Sequence, residues 1–249
     1  MKRILSILAL LFCMQLEAQV VNTEKKRLRN PNQGLNGSLD LGLALIRNTN
    51  DILQFNTRIN LNYLRKKHLI MLLGDFGFFR ANKSALENRG FGHLRYNYEL
   101  DRRFILEAFS QNQYNQIQKI GDRSLWGAGP RMRILENDSA RFFVGALYMY
   151  EYEEVSDSLE SRNRDHRMSA YLSAGYTVKK LFSIDNITYF QPMLRDFADF
   201  RIASETNFLF HLTTRLSLKI SFVLNHDTRP PEEIENTFYR LTNGLKFKF

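Results

Sequence analysis

The sequence predicts an all-β fold: a single antiparallel transmembrane β-barrel of about twelve strands, preceded by a cleaved signal peptide. Three observations carry this expectation. The chain opens on a short leader, the remainder alternates apolar and polar residues with a period of two, and the last residue is an aromatic in phase with the apolar face. The 249 residues suffice for one large β domain. Aromatics make up 13%, with 20 Phe and 11 Tyr, a surplus that suits strands and the interface girdles of membrane barrels. The mean hydropathy of −0.36 looks like that of a water-soluble protein, but lumen-facing polar residues cancel lipid-facing apolar ones in such an average.

The expected organisation is a signal peptide over 1–18, a polar periplasmic arm over 19–33 and the barrel over 34–249. Lys2 and Arg3 give the leader its positive start, and Ile4 to Met14 is an apolar run too short to span a bilayer as a helix. Leu16-Glu17-Ala18 offers a cleavage site. Cys13, the only cysteine, leaves with the leader, so no disulfide, thiolate metal site or cysteine nucleophile is expected after it. The arm carries Lys25, Lys26, Arg27 and Arg29 and ends in Asn30-Pro31-Asn32. No later stretch approaches the ~20 apolar residues of a membrane helix.

From Gly34 onward, Leu35, Leu39, Leu41, Leu43 and Leu45 fall on one face, with Asn36, Ser38 and Asp40 on the other. After a turn at Asn48 to Asp51, Leu53, Phe55, Ile59, Leu61 and Tyr63 oppose Gln54, Asn56, Arg58, Asn60 and Asn62. Strands then follow over Leu69 to Arg80, around Leu94 to Tyr98, Phe104 to Tyr114, Arg123 to Leu135, Phe142 to Glu153, His166 to Val178, Leu181 to Gln191, Phe200 to Leu212, Leu216 to Asn225 and Thr237 to Phe249. Segments of about ten residues or more match a tilted membrane crossing. Alternate links are short and mostly basic: Arg65-Lys66-Lys67, Asp101-Arg102-Arg103, Lys179-Lys180 and Thr213-Thr214-Arg215. The others are expected to be longer: Ala81 to Asn88, Gln116 to Asp122, Ser156 to Asp165, Arg195 to Asp199 and Thr228 to Glu235. Short periplasmic turns and longer outer loops are the arrangement of bacterial barrels. That places both termini in the periplasm of a Gram-negative envelope.

The chain ends Leu245-Lys246-Phe247-Lys248-Phe249. Leu245, Phe247 and Phe249 on one face resemble the signal read by the barrel assembly machinery, which is thereby an expected partner alongside outer-membrane lipid.

In a barrel the polar face points inward. The expected lumen-lining charges are Arg58, Asp75, Arg95, Glu99, Glu107, Arg123, Arg131, Arg133, Glu151, Arg167, Arg201, Glu205 and Lys219. Unpaired charges in a narrow lumen are costly, so Arg–carboxylate ladders between neighbouring strands are expected. They either plug the lumen or leave a small polar pore that prefers anions. Pro130 cannot donate a ladder hydrogen bond and predicts a bulge or local break. Gly127 and Gly129 beside it predict close packing of a large neighbour, Trp126 or a tyrosine.

The net charge of +9 is divided between the lumen and the basic turns, which argues against nucleic-acid binding. Basic turns suit anionic headgroups. Glu153, Glu154, Asp157, Glu160, Glu232, Glu233 and Glu235 make the outer loops acidic, without the spacing of a metal loop. No cofactor or metal site is expected. His93 beside Arg95 and Glu99 suggests a buried polar cluster, and His226-Asp227 lies near an outer rim. Ser110 and Ser124 are possible nucleophiles. No nucleophile elbow, zinc motif or phosphate loop occurs.

Leu94-Arg95-Tyr96-Asn97-Tyr98, Phe104 to Phe109, and Asp122-Arg123-Ser124-Leu125-Trp126-Gly127-Ala128-Gly129 together resemble the YdiY-like family of salt-induced outer-membrane proteins, a domain of unknown function. Arg123, Gly127 and Gly129 match its Arg-x-x-x-Gly-x-Gly pattern, while Pro130 departs from its usual apolar or small residue. The resemblance implies an outer-membrane barrel and a role under osmotic or salt stress; it supplies no catalytic residue. Two functions follow as expectations: a narrow small-solute channel or structural envelope protein, and an outer-membrane hydrolase acting on lipid or peptide near the outer rim. An enzyme is not the expected reading.

Overall fold

The computed structural model describes residues 33–47, 51–82, 84–156, 161–179 and 181–247. The expected leader, the arm over 19–32 and Phe249 lie outside the described residues. The rest is all-β and contains twelve strands: β1 (Gly34–Arg47), β2 (Asp51–Arg65), β3 (His68–Ala81), β4 (Ser84–Glu99), β5 (Phe104–Asn115), β6 (Ile120–Glu136), β7 (Ala140–Val155), β8 (Arg162–Val178), β9 (Phe182–Met193), β10 (Asp196–His211), β11 (Leu216–Asp227) and β12 (Thr237–Phe247). They form one sheet in chain order, every neighbour antiparallel. No helix among the described residues is long and apolar enough to cross a membrane, which leaves crossing by strands open.

Alternation becomes two faces. On β8, Arg167, Ser169 and Tyr171 point into the concave side and are buried, while His166, Leu172 and Tyr176 face outward and are exposed. The same division holds along β4 to β7, because one residue of register separates the two faces.

The twelve antiparallel strands match the expected sheet, but the sheet is not closed: β1 and β12 are each paired on one side only. Leu39, Leu41, Leu43 and Leu45 are between 59 and 73% exposed, and Ser38 and Asp40 on the opposite face are exposed as well. The inward positions of β1 are Asn36, Ser38, Asp40, Gly42 and Ala44, short side chains that offer little to hold a distant strand. The sheet is nonetheless strongly curled, since side chains of β7 and β10, which have β8 and β9 between them in the order, meet inside it.

At one end the turns between β4 and β5, β6 and β7, and β10 and β11 share one device. The side-chain oxygens of Asp101, Asn137 and Thr213 each accept hydrogen bonds from backbone N–H groups two and three residues on. The two N–H bonds from Phe104 and Arg103 hold the Asp101 carboxyl below its ordinary range. Between β2 and β3, Lys66 adopts a left-handed φ of 54°.

At the other end the strands run further than expected. Ala81 to Asn88 is not a loop: Ala81 pairs with Ser84, and β4 continues through Asn88 after a bulge at Phe79/Arg80. Likewise Arg195 to Asp199 falls largely within β10, where a register shift lies between Asp196 and Phe200. The polar residues that read as loop are ladder residues beyond the apolar band. The link over 228–236 is long, as expected. Pro130 pairs in register with Leu106 on β5, while the ladder to β7 lapses between Ala128 and Arg131 without a shift. A local break is present and a bulge at Pro130 is not.

Candidate functional site

The interior is a lattice of buried charges in layers. Nearer the loop end, Glu151 on β7 accepts from Arg123 on β6 at 2.5 Å, from Arg167 on β8 at 2.7 Å and from Arg201 on β10. Arg201 also bonds Glu153 at 2.9 Å and Asp227 at 2.7 Å, and Arg167 meets Asp199 at 2.9 Å. Arg123 and Glu151 are fully buried. Three guanidiniums thus face four carboxylates, so each charge has a partner in a place where an uncompensated one would be expelled.

Nearer the short-turn end, Glu107 on β5 lies 3.5 Å from both Arg95 on β4 and Arg131 on β6. Tyr171 on β8 donates its hydroxyl to Glu107 at 2.5 Å and accepts from Arg131 at 3.2 Å. Two glycines permit that reach. A Cβ on Gly145, the register partner of Tyr171, would lie 2.2 Å from the ring, and one on Gly129, the partner of Glu107, would meet the Ala146 carbonyl at 2.4 Å. The Arg131 guanidinium covers the Phe143 ring at 4.0 Å. His93 is structural: it bonds Gln111 at 3.0 Å, receives Arg95 Nε at 3.3 Å and stacks between Phe91 and Phe109. The large neighbour packed on Gly127 is Phe109, neither Trp126 nor a tyrosine; a Cβ there would sit 2.4 Å from its ring.

Of the remaining expected residues, Asp75 is buried and binds Arg89 at 2.7 Å and Arg58 at 3.4 Å. Glu205 is buried and accepts from Asn207 at 3.0 Å. Glu99 and Arg133 pair at 3.0 Å at the short-turn rim, with Glu136 also on Arg133 at 2.8 Å. Lys219 lies in the inward phase but is exposed and makes no ion pair among the described residues. Leu245 and Phe247 are outward and exposed.

The expectation of ladders between neighbouring strands is only half the pattern: Arg201–Glu151, Arg201–Glu153 and Tyr171–Glu107 each cross between strands that are not neighbours. Glu153 and Asp199, read as loop residues, are buried members of the lattice. Their odd numbering, in phase with Glu151 and Arg201, was the available signal.

No serine, histidine and acid converge among the described residues. Ser124 bonds Asn112 and Asp122, His226 bonds Thr237, and Asp227 is held by Arg201. His211 meets Ser217 at 3.0 Å, but no carboxylate bonds that histidine. No group of three His, Cys, Asp or Glu able to hold a metal ion occurs among the described residues.

The family described as a protein of unknown function, DUF481, matches residues 39–249. The chain belongs to the DUF481 family. That is the YdiY-like family whose pattern Arg123, Gly127 and Gly129 carry. All three residues of the pattern belong to the interior: Arg123 binds Glu151, and the two glycines make room for Phe109 and for the β7 backbone. A solved structure titled as a NanC porin is similar to this DUF481 chain at 14% identity, covering 79% of this chain and 94% of that one, with a TM-score of 0.46. A likeness of that size transfers neither solute nor mechanism. No curated protein matches the chain.

Proposed function

We propose that this chain is an outer-membrane barrel that passes small anionic solutes through a narrow, largely occluded lumen, its two edge strands β1 and β12 closing on one another in the bilayer. The observation that carries the reading is the sorting of side chains. Charges are sequestered on the concave side, while the convex side is apolar between two aromatic belts. At the short-turn end, His68 packs against Tyr96 and Tyr98. At the loop end, Trp126 stacks on Tyr150, and His166 stacks on Tyr148 and tilts against Tyr150. On β8 the outward His166 and Tyr176 are ten positions apart, about 33 Å along the strand and about 25 Å along the axis at a tilt of ~40°. That is the height of an outer-membrane barrel's apolar band.

In this reading the short-turn end is periplasmic, and its basic residues Lys66, Lys67, Arg102 and Arg103 lie against headgroups. Inside, most Arg charge is matched by carboxylates, so the anion preference of this reading rests on a cation without a carboxylate partner among the described residues, Lys219. The salt-stress role implied by the family resemblance joins the proposal, a small anion leak letting ions equilibrate across the outer membrane. Proteoliposomes bearing the folded protein should release trapped chloride faster than potassium. Release no faster than from empty vesicles, with insertion verified by resistance to urea extraction, contradicts the reading.

A further inference from the structure

We propose that the water path runs off-centre, along the wall made by β11, β12, β1 and β2, and that Lys219 sets its charge preference; this rests on the channel reading above. At the two charge layers the interior facing β6 to β8 is closely packed. Arg123 and Glu151 are 0% exposed, Arg131 1% and Arg167 2%, and their guanidiniums and carboxylates interlock across the strands. The inward positions of the opposite wall behave otherwise. On β2 and β11, each paired on both sides, the inward Arg58 side chain is 55% exposed and Lys219 is exposed.

Space is available beside Lys219. Its register partner on β12 is Gly244, and a Cβ built there meets nothing within 4 Å. Of the neighbouring inward positions, Ser217, Ser221 and Thr242 are small and polar, and Leu209, opposite Lys219 on β10, is apolar. Inward cations lie on this wall at several heights, among them Arg240 near the loop end, Arg58 midway along β2, and Lys219 near the short-turn end. They are not equivalent. Arg58 lies opposite Asp40 in register and 3.4 Å from Asp75, which cancels much of its charge. Lys219 has no carboxylate against it among the described residues. An ammonium in a narrow, low-dielectric passage raises the local concentration of anions and repels cations. The passage therefore suits small hydrated anions, with Lys219 a fixed charge on it near the short-turn end.

The experiment uses the full chain with Cys13→Ser and single cysteines at Lys219, Ser38 or Ser169, in proteoliposomes with an anionic, membrane-impermeant thiosulfonate. Ser169 is inward but buried, bonded by Gln191 at 3.3 Å. Lys219→Cys and Ser38→Cys should react at least roughly tenfold faster than Ser169→Cys. Lys219→Glu should move the ion preference toward cations, Lys219→Arg should retain it, and Gly244→Phe should cut the current. Equal labelling of Ser169→Cys, or an unchanged preference in Lys219→Glu, overturns the proposal. A wild-type protein that conducts nothing yet shows the expected labelling keeps the water path where it is placed and defeats only the channel reading.

Discussion

Tyr171 shows how single residues close this interior. Its ring lies over Gly145, and its hydroxyl bonds Glu107 and Arg131 on strands that are not its neighbours. Removing only the hydroxyl, in Tyr171→Phe, should cost about 1.5–3 kcal/mol, because hydrogen bonds to charged groups are lost in a buried place. Gly145→Ala should cost about 1–3 kcal/mol by a different route, since the new methyl displaces the ring that the glycine admits. Glu151→Gln should be worse, about 3–5 kcal/mol, because Arg123, Arg167 and Arg201 all bind that carboxylate and none can leave the lumen. Urea unfolding of the folded protein in detergent checks all three, and a Tyr171→Phe midpoint equal to the wild type's would contradict the role given to the hydroxyl.

At the scale of elements, the period of two makes the strands legible, and parity puts Arg123, Glu151, Arg167 and Arg201 on one face, but the inward charges expected from it leave out the buried Asp165, Asp199 and Asp227. What parity could not reveal was where a strand stops. Glu153 and Asp199 look like loop residues in sequence because the outward apolar band ends before the ladder does. Nor could it reveal partners across the lumen. The reach of Tyr171 depends on Gly145 and Gly129 lying between the strands it bridges, a coincidence of register that no local pattern encodes.

One loop also acts across the molecule. Residues 228–236 are stiffened by Pro230-Pro231 and tied to the rim by Arg229, which binds Asp196 at 2.6 Å. From there Glu233 pairs with Lys119 of the β5–β6 turn, and Lys119 also donates to the Glu232 carbonyl at 3.1 Å. Both Lys119 and Glu233 hold left-handed φ angles, 55° and 67°. The Lys119 bond lowers the Glu233 pKa, so the clasp is intact at and above the ordinary glutamate range and is lost as pH falls below it. Salt screens so exposed a pair. Proteolysis within 228–236 should accelerate below that range and in about 1 M salt, where the Debye length is ~3 Å; a rate indifferent to both would mean that the clasp does not hold the loop.

For the molecule as a whole, the open question of geometry is the seam. β1 and β12 each present an unpaired row of backbone donors and acceptors. In water such edges invite aggregation, and in hydrocarbon each unsatisfied group costs several kcal/mol. In the outer membrane proposed for this chain, lipid would therefore force the pairing that the short inward side chains of β1 do not enforce on their own. In membranes, Leu41→Cys should form an intramolecular disulfide with one position of a cysteine scan over Tyr239 to Leu245; cross-linking only between copies would mean that the edges pair with another chain.

The central claim is that this sorted, charge-latticed sheet is a membrane barrel with a narrow anion path. Single-channel recording across a planar bilayer, with unequal potassium chloride on the two sides, tests it most directly. Small discrete steps whose reversal potential lies on the chloride side are the predicted result. A folded, inserted protein that stays silent, or one that reverses on the potassium side, would contradict it.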